Sequence, residues 1–176
     1  MTRRLAMILS AASPLLAHSA MQDNSKRASP HETASIDLNG KKISISYGRP
    51  YLKGRELGHL TPDGQVWRLG ADEATKLTVT ARTSIANTLD LAPGSYSMFA
   101  ITNPDKWTII INKVANQWGA FSYKESEDLG RFDVPVKSLP TPVEQFTITL
   151  NKQSSDVAEL TLAWGKSSVS TTLKVL

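Results

Sequence analysis

The strongest local signal in this chain is the stretch Ala34-Ser35-Ile36-Asp37-Leu38-Asn39-Gly40-Lys41-Lys42-Ile43-Ser44-Ile45-Ser46-Tyr47. Apolar and polar residues alternate on both sides of Asn39-Gly40, as they do in strands with one buried face. Asn and Gly both tolerate the positive φ angles that a type I′ turn requires. The stretch therefore predicts a β-hairpin between a strand at about 34–38 and one at about 41–47.

The same period of two returns along the rest of the chain, and no segment keeps a helical period. Further strands are predicted at about 77–81, 96–101, 107–111, 146–150, 160–164 and 169–175. Pro93-Gly94 suits the centre of a type II turn, and Trp164-Gly165-Lys166 is expected to open the last hairpin. Many short strands with frequent turns predict an all-β fold, a single antiparallel β-sandwich that is immunoglobulin-like or jelly-roll-like. We expect about nine or ten strands and little helix.

The N-terminus has the three parts of a secretory signal. Arg3 and Arg4 form a positive region, Leu5–Leu16 an apolar region, and Ala17-His18-Ser19-Ala20 a small-residue cleavage region. We expect a signal peptide at 1–20, a flexible leader at 21–30 and a β-sandwich domain at 31–176. The protein is therefore predicted to be periplasmic or secreted, by the general or the twin-arginine route.

Composition excludes several classes of function. The chain has 20 Lys and Arg against 16 Asp and Glu, so loss of two arginines with the signal leaves 18 minus 16, about +2. That charge is too small to indicate a nucleic-acid partner. No second apolar run is long enough for a membrane span in the mature chain. No cysteine is present, and the oligomeric state stays open.

Two dense segments hold most of the functional side-chain chemistry. They are Tyr47–Arg55 and Val66–Thr75, at the two ends of a connection too long for an ordinary hairpin. Long loops in compact domains are often functional, so we read this one as ordered. The sequence predicts a pocket at the end of the sandwich beneath this loop, lined by Tyr47, Arg49, Arg68, Glu73 and Trp118.

Several motifs occur together in an order that is specific. They are Tyr47-Gly48-Arg49-Pro50, Lys53-Gly54-Arg55, Val66-Trp67-Arg68, Gly70-Ala71, Glu73-Ala74-Thr75, Ala92-Pro93-Gly94-Ser95-Tyr96, Trp107-Thr108, Gln117-Trp118-Gly119-Ala120 and Glu144-Gln145-Phe146-Thr147. With these motifs the chain resembles the bacterial family called domain of unknown function 2911, from about residue 27 to the C-terminus. The chain departs from that family's pattern at Asp72, where asparagine is common, and at His59, where histidine is rare. The resemblance implies a secreted or periplasmic β-sandwich and no established activity.

Basic and aromatic residues are the candidate ligand-binding groups. Arginine forks grip carboxylates and phosphates, so the basic set can form an anion-binding wall; alternatively, Arg68 pairs with Glu73 or Asp72 and anchors the loop. Trp67, Trp118 and Tyr123 can form an aromatic platform for a sugar, although Trp118 can also act as a lid. The predicted ligand-binding residues are Tyr47, Arg49, Lys53, Arg55, Trp67, Arg68 and Trp118.

Catalytic and metal-binding signals are sparse. Histidine is the side chain that most often serves as a general acid or base, so His31 is the candidate, and Glu73 is its natural partner; alternatively, His31 only bonds a backbone carbonyl. With His31 and His59 as the two histidines of the mature chain and no cysteine, we expect no metal site and no cofactor. No cysteine nucleophile or Gly-x-Ser-x-Gly elbow occurs.

Three functions remain open at this point. The first is a binding protein for a small polar or anionic molecule, such as a glycan or an envelope fragment. The second is a metal-free acid–base enzyme, a hydrolase or isomerase, that uses His31 and Glu73. The third is a structural envelope protein. A cavity that contains His31 and Glu73 favours the enzyme, an open cleft of arginines favours binding, and arginines that all pair with protein carboxylates favour the structural role.

Overall fold

Two antiparallel sheets pack face to face to form the protein. The computed structural model describes residues 27–176, so the predicted signal peptide and residues 21–26 of the predicted leader lie outside the described part. The sheets are not closed into a barrel, which confirms the predicted all-β sandwich. No helix among the described residues is long and apolar enough to cross a membrane.

Residues 27–176 contain eleven strands, against the nine or ten predicted. In chain order they are β1 His31–Leu38, β2 Lys41–Gly48, β3 Val66–Trp67, β4 Thr75–Val79, β5 Thr83–Ile85, β6 Leu89–Leu91, β7 Gly94–Thr102, β8 Lys106–Asn112, β9 Asp128–Pro135, β10 Lys137–Lys152 and β11 Val157–Val175. A four-residue helix, α1 (Leu57–Leu60), lies between β2 and β3, and one turn of 3₁₀ helix spans Glu125–Glu127. The extra strands are short pieces such as β3 and β6, which sequence alternation is too brief to reveal.

The strands divide into a larger and a smaller sheet. The first has the order β1-β2-β4-β7-β8-β9, and β3 pairs with β7 next to this path. The second has the order β10-β11-β5-β6. All pairings are antiparallel, so each strand places alternate side chains on opposite faces of its sheet.

The predicted first hairpin is confirmed. Leu38 pairs with Lys41 in register, and Asn39 and Gly40 have φ angles of 53° and 71°. The Asp37 carboxylate accepts a hydrogen bond from the Gly40 N–H at 2.8 Å, which holds the turn closed. Local turn chemistry is sufficient to fix this hairpin.

Two other turn predictions are wrong. Gly94 has a φ of 157°, far from the value of about +80° that a type II turn requires, and it begins β7. Gly165 does not open a hairpin, because β11 runs through it without a break. Gly165 has a φ of 58° and lies opposite Val143, where the β10–β11 register shifts. This glycine therefore forms part of a β-bulge.

The inner faces of the two sheets enclose the main core. Its centre is aromatic: Trp67 stacks on Trp164 at 5.5 Å and meets Trp107 and Phe146 edge-on. Trp107 and Trp164 are buried, as their apolar neighbours predict. Burial of each such ring stabilises the fold by roughly 1.5–3 kcal/mol, so this centre fixes the packing of the two sheets.

A second, smaller cluster lies on the outer face of the first sheet. Phe99 and Ile110 point away from the main core and are fully buried there. The loop that follows β8 covers them, and the Tyr123 ring lies 4.9 Å from the Phe99 ring. We call residues 113–124 the covering loop. This loop forms one wall of the pocket described below.

Candidate functional site

The main pocket lies on the outer face of the first sheet, beside the covering loop. It has a volume of about 460 Å³, and its lining includes His31, Ser46, Glu73, Lys76, Asn116 and Trp118. Ser46 and Lys76 pair in register and alternate with residues whose side chains are buried in the core. Their side chains therefore point outward, and the pocket opens on the side of the sheet that faces away from the second sheet.

This position differs from the predicted one beneath the segment 48–71. The first part of that segment instead packs on the second sheet: the Leu52 N–H donates to the Glu144 carbonyl at 2.9 Å, and Tyr51 forms a bridge with Gln145. Tyr47 does line the pocket, but its buried hydroxyl accepts a hydrogen bond from the Ile148 N–H at 2.9 Å. Its side chain therefore faces the core, and its main chain forms the pocket wall.

A buried polar network holds the covering loop on the sheet. The Gln117 side-chain amide donates to Ser97 Oγ at 2.9 Å and to Asn112 Oδ1 at 3.0 Å. The Ser97 hydroxyl in turn donates to the Val114 carbonyl at 2.6 Å. Because all three polar side chains are buried, their hydrogen bonds are costly to break. The network fixes the position of Trp118, the next residue in the chain.

The segment 68–75 forms the opposite rim through two left-handed residues. Leu69 and Asp72 have φ angles of 52° and 62°, and Thr75 Oγ1 closes the turn by donating to the Leu69 carbonyl at 2.5 Å. Glu73 forms a bridge with Trp118. This turn therefore joins the covering loop and presents Asp72 and Glu73 toward β1.

Four titratable side chains meet at this rim, and we call them the charged cluster: Arg27, His31, Asp72 and Glu73. Arg27 grips the Glu73 carboxylate with both terminal nitrogens, at 2.5 and 3.0 Å. His31 Nε2 lies 3.0 Å from Asp72 Oδ2 and 3.6 Å from Glu73 Oε2. Residues 27–30 belong to the predicted leader, yet Arg27 is fixed here and the Pro30 carbonyl accepts from the Arg49 N–H.

Arg27 sets the charge state of Glu73. The hydrogen bond from its guanidinium lowers the pKa of the Glu73 carboxyl, and the same hydrogen bond raises the pKa of Arg27. Glu73 is therefore ionised at neutral pH and acts as a hydrogen-bond acceptor. It can orient His31 or a ligand hydroxyl, but it does not carry a proton to donate.

Trp118 is the exposed aromatic surface of the site. Its side chain is 56% exposed, and the Arg27 guanidinium lies 5.9 Å from its ring centroid. The other members of the predicted platform have different roles. Trp67 lies in the aromatic centre of the core and donates to the Gly70 carbonyl. The Tyr123 hydroxyl donates to Asp128 Oδ2 at 2.7 Å, and desolvation with this bond raises the pKa of Tyr123 to about 12.

Arg49 does not line the pocket, contrary to expectation, because its guanidinium is used across the sandwich. It pairs with Glu32 on β1 and donates to the Phe146 carbonyl at 3.2 Å and to Thr147 Oγ1 at 3.0 Å on β10. This residue therefore connects the first sheet to the second.

The other three basic residues of the predicted ligand-binding set, Lys53, Arg55 and Arg68, anchor loops. The Lys53 N–H donates to the Glu144 carboxylate, while its side chain is exposed. Arg55 Nε donates to the Leu52 carbonyl at 2.9 Å. Arg68 donates to the backbone carbonyl of Asp72 at 3.1 Å. The predicted pairing of Arg68 with a carboxylate is thus replaced by a carbonyl contact, and none of these three side chains forms the pocket wall.

Sequence reasoning missed several residues that build the site. Arg27 lies in the predicted leader, and Lys76 lies just before the strand predicted at about 77–81. Gln117 belongs to the motif Gln117-Trp118-Gly119-Ala120, in which only Trp118 is a predicted site residue. The sequence predicts Asp72 only as a possible partner of Arg68. His59 lies exposed on α1, outside the charged cluster.

Comparison with known proteins identifies a family and no activity. A family model with the description "Protein of unknown function (DUF2911)" matches residues 29–173. No curated protein and no solved structure matches the chain.

Proposed function

Because the chain belongs to the DUF2911 family of proteins of unknown function, we propose a function from its pocket: the protein binds a small polar ligand, a glycan or an envelope fragment. The observation that carries this proposal is the pocket of about 460 Å³ beside the half-exposed indole of Trp118. This volume lies in the range of small-molecule sites.

The chemistry of the lining favours a carbohydrate. Trp118 offers a flat apolar surface for one face of a sugar ring, since aromatic rings combine large contact area with a polar edge. Glu73 accepts hydrogen bonds, Lys76 donates them, and Asn116 can do both. A sugar that carries a carboxylate gains an additional charge-assisted contact with Lys76.

We further propose that the protein meets this ligand outside the cytoplasm. The support is the N-terminal pattern of two arginines, an apolar stretch and small residues at 17–20.

Tryptophan fluorescence and calorimetry test the binding proposal. Glucose, N-acetylglucosamine and glucuronic acid are titrated into the purified protein. We expect a saturable change in emission, because Trp118 is far more exposed than the core residues Trp107 and Trp164. We expect glucuronic acid to bind most tightly, and Lys76→Met to abolish its advantage over glucose.

A matched pair of variants locates the binding site. By calorimetry, Trp118→Ala is expected to weaken binding at least tenfold, since stacking on an aromatic ring is removed. Phe121→Ala, in the same loop and 84% exposed but outside the pocket lining, is expected to leave affinity unchanged. Equal losses in both variants, or no saturable heat with any of the three sugars, would contradict the proposal.

A second candidate is an acid–base enzyme, which the 3.6 Å separation of His31 Nε2 and Glu73 Oε2 at the pocket favours. His31 would act as the base, and the ionised Glu73 would orient it. Proton NMR of each bound sugar and of its methyl glycosides would reveal epimerisation or hydrolysis. Turnover that His31→Gln abolishes while binding persists supports the enzyme; binding without turnover supports the first function.

A further inference from the structure

Three potential metal ligands converge in the charged cluster. His31, Asp72 and Glu73 each offer one ligand atom, and these three atoms all lie within 4.8 Å of one another. The two distances from the histidine nitrogen are 3.0 and 3.6 Å. Ligand atoms about 2.0–2.1 Å from a tetrahedral Zn²⁺ are about 3.3 Å apart. The two distances from His31 Nε2, one shorter and one longer than this value, are therefore close to the ligand spacing of a zinc site.

The hydrogen bonds of the cluster cannot all be satisfied at once. Arg27 Nη1 lies 2.9 Å from His31 Nε2 and can donate to it only if that nitrogen carries no proton. The same nitrogen lies 3.0 Å from Asp72 Oδ2, to which it can donate only if it carries a proton. One ring nitrogen cannot both accept from Arg27 and donate to Asp72, so one of these two contacts is mismatched.

We propose that His31, Asp72 and Glu73 form a site for a divalent first-row transition metal, and that Arg27 is an internal cation that the metal displaces. A metal ion accepts the lone pairs of all three ligands at once, which removes the mismatch. One imidazole with two carboxylates is a mixed nitrogen and oxygen set that suits Zn²⁺ and its neighbours.

The site leaves room for a fourth ligand. Three protein ligands are the arrangement of sites that keep one open coordination position, and His31 and Glu73 both line the pocket. The metal would therefore face the pocket, although its binding does not depend on a glycan. The sequence predicts no metal site because the mature chain has two histidines and no cysteine. The structure leaves His59 outside the cluster and supplies Asp72 instead.

Calorimetric titration of the purified chain with ZnCl₂, after removal of metals with EDTA and dialysis, tests the proposal. We expect one Zn²⁺ per chain. Asp72→Asn is the most useful variant, because asparagine tolerates the left-handed φ of 62° at this position. We expect Asp72→Asn and His31→Ala each to weaken Zn²⁺ binding at least tenfold, while the control His59→Ala leaves it unchanged.

A variant of Arg27 distinguishes a metal site from a structural ion-pair cluster. Arg27→Met keeps the aliphatic stem but removes the competing cation, so Zn²⁺ affinity should rise several-fold. A structural role alone gives no such gain. Absence of stoichiometric Zn²⁺ binding, or equal affinity in wild type and Asp72→Asn, would overturn the site; unchanged affinity in Arg27→Met would overturn the displacement. The titration contains no sugar, which separates this test from that of the glycan pocket.

Discussion

Arg49 connects strands that are distant in sequence. Its side chain is partly buried, and its guanidinium satisfies a carboxylate on β1 together with a carbonyl and a hydroxyl on β10. Removal of a partly buried donor leaves such acceptors without a partner, which costs more than the hydrogen bonds themselves contribute.

We predict that Arg49→Ala lowers the free energy of unfolding by roughly 1–3 kcal/mol and leaves sugar affinity unchanged. The matched control is Arg82→Ala, because Arg82 pairs with Asp90 on the surface, where ion pairs contribute about 0–1 kcal/mol. Urea denaturation measures both variants. Similar small losses in the two would show that Arg49 is not an anchor.

Tyr123 provides a prediction for alkaline pH. Its folded-state pKa of about 12 lies above the ordinary value of 10.0. The stabilisation from its protonated hydroxyl is therefore fully present below pH 10, and it is lost as the pH rises through 12. We expect the stability of wild type to fall across this interval more steeply than that of Tyr123→Phe. Urea midpoints at pH 9, 10 and 11 measure the difference, and parallel curves would contradict it.

At the scale of single residues, the sequence shows chemistry but not partners. It suggested that His31 and Glu73 meet, and their atoms lie 3.6 Å apart. It failed for Arg49, because the partners of that residue lie on two other strands, β1 and β10. It failed for Arg68, because the backbone carbonyl that accepts its hydrogen bond is common to every residue type and leaves no mark in the sequence.

Among the elements, β2 ends at Gly48, where its backbone lies tightly against the segment 68–75 that forms the rim of the site. A Cβ atom on Gly48 would lie 2.3 Å from the Ala71 carbonyl oxygen. Backbone atoms cannot move away as a flexible side chain can, so any larger residue must shift the segment 68–75. The glycine thus allows this segment to lie against β2.

We predict that Gly48→Ala destabilises the fold by roughly 1–3 kcal/mol through overpacking and weakens sugar binding through displacement of Glu73. Gly58→Ala is the control: it lies in α1, and an added Cβ there meets nothing within 4 Å. Alanine should be neutral or slightly stabilising in that helix. Thermal denaturation of the two variants compares them directly, and equal melting temperatures would rule out the clash.

The elements that could be predicted are those whose signals are local. Asn39-Gly40 fixes its hairpin because its two residues supply both positive φ angles. Gly165 has a similar φ, but it lies inside a strand whose partner shifts register. Which of these roles a glycine takes depends on the neighbouring strand, and sequence alternation does not contain that information.

For the whole molecule, the fold class followed from the alternation, whereas the position of the pocket did not. One signal was present in β8, where Ile109, Ile110 and Ile111 are consecutive. Continuous apolar residues indicate a strand covered on both faces, and the covering loop provides the outer cover. The sequence alone did not reveal that this loop would build one wall of the site.

We predict that the exported protein begins at Ala20 or Met21, since small residues at 17 and 19 suit the signal peptidase. Intact mass spectrometry of protein from the periplasm or medium measures this. Retention of Met1 would show that the segment is not cleaved, and exclusive recovery from the cytoplasm would contradict export.

The position of the pocket on the outside of one sheet has a consequence for evolution and design. A site between two sheets must share its residues with the core, so each change in specificity also threatens folding. Here, Trp118 and Asn116 belong to a loop laid over an already closed sandwich. New binding specificities can therefore arise by exchange of residues in this loop, or be grafted there, while the scaffold keeps its fold.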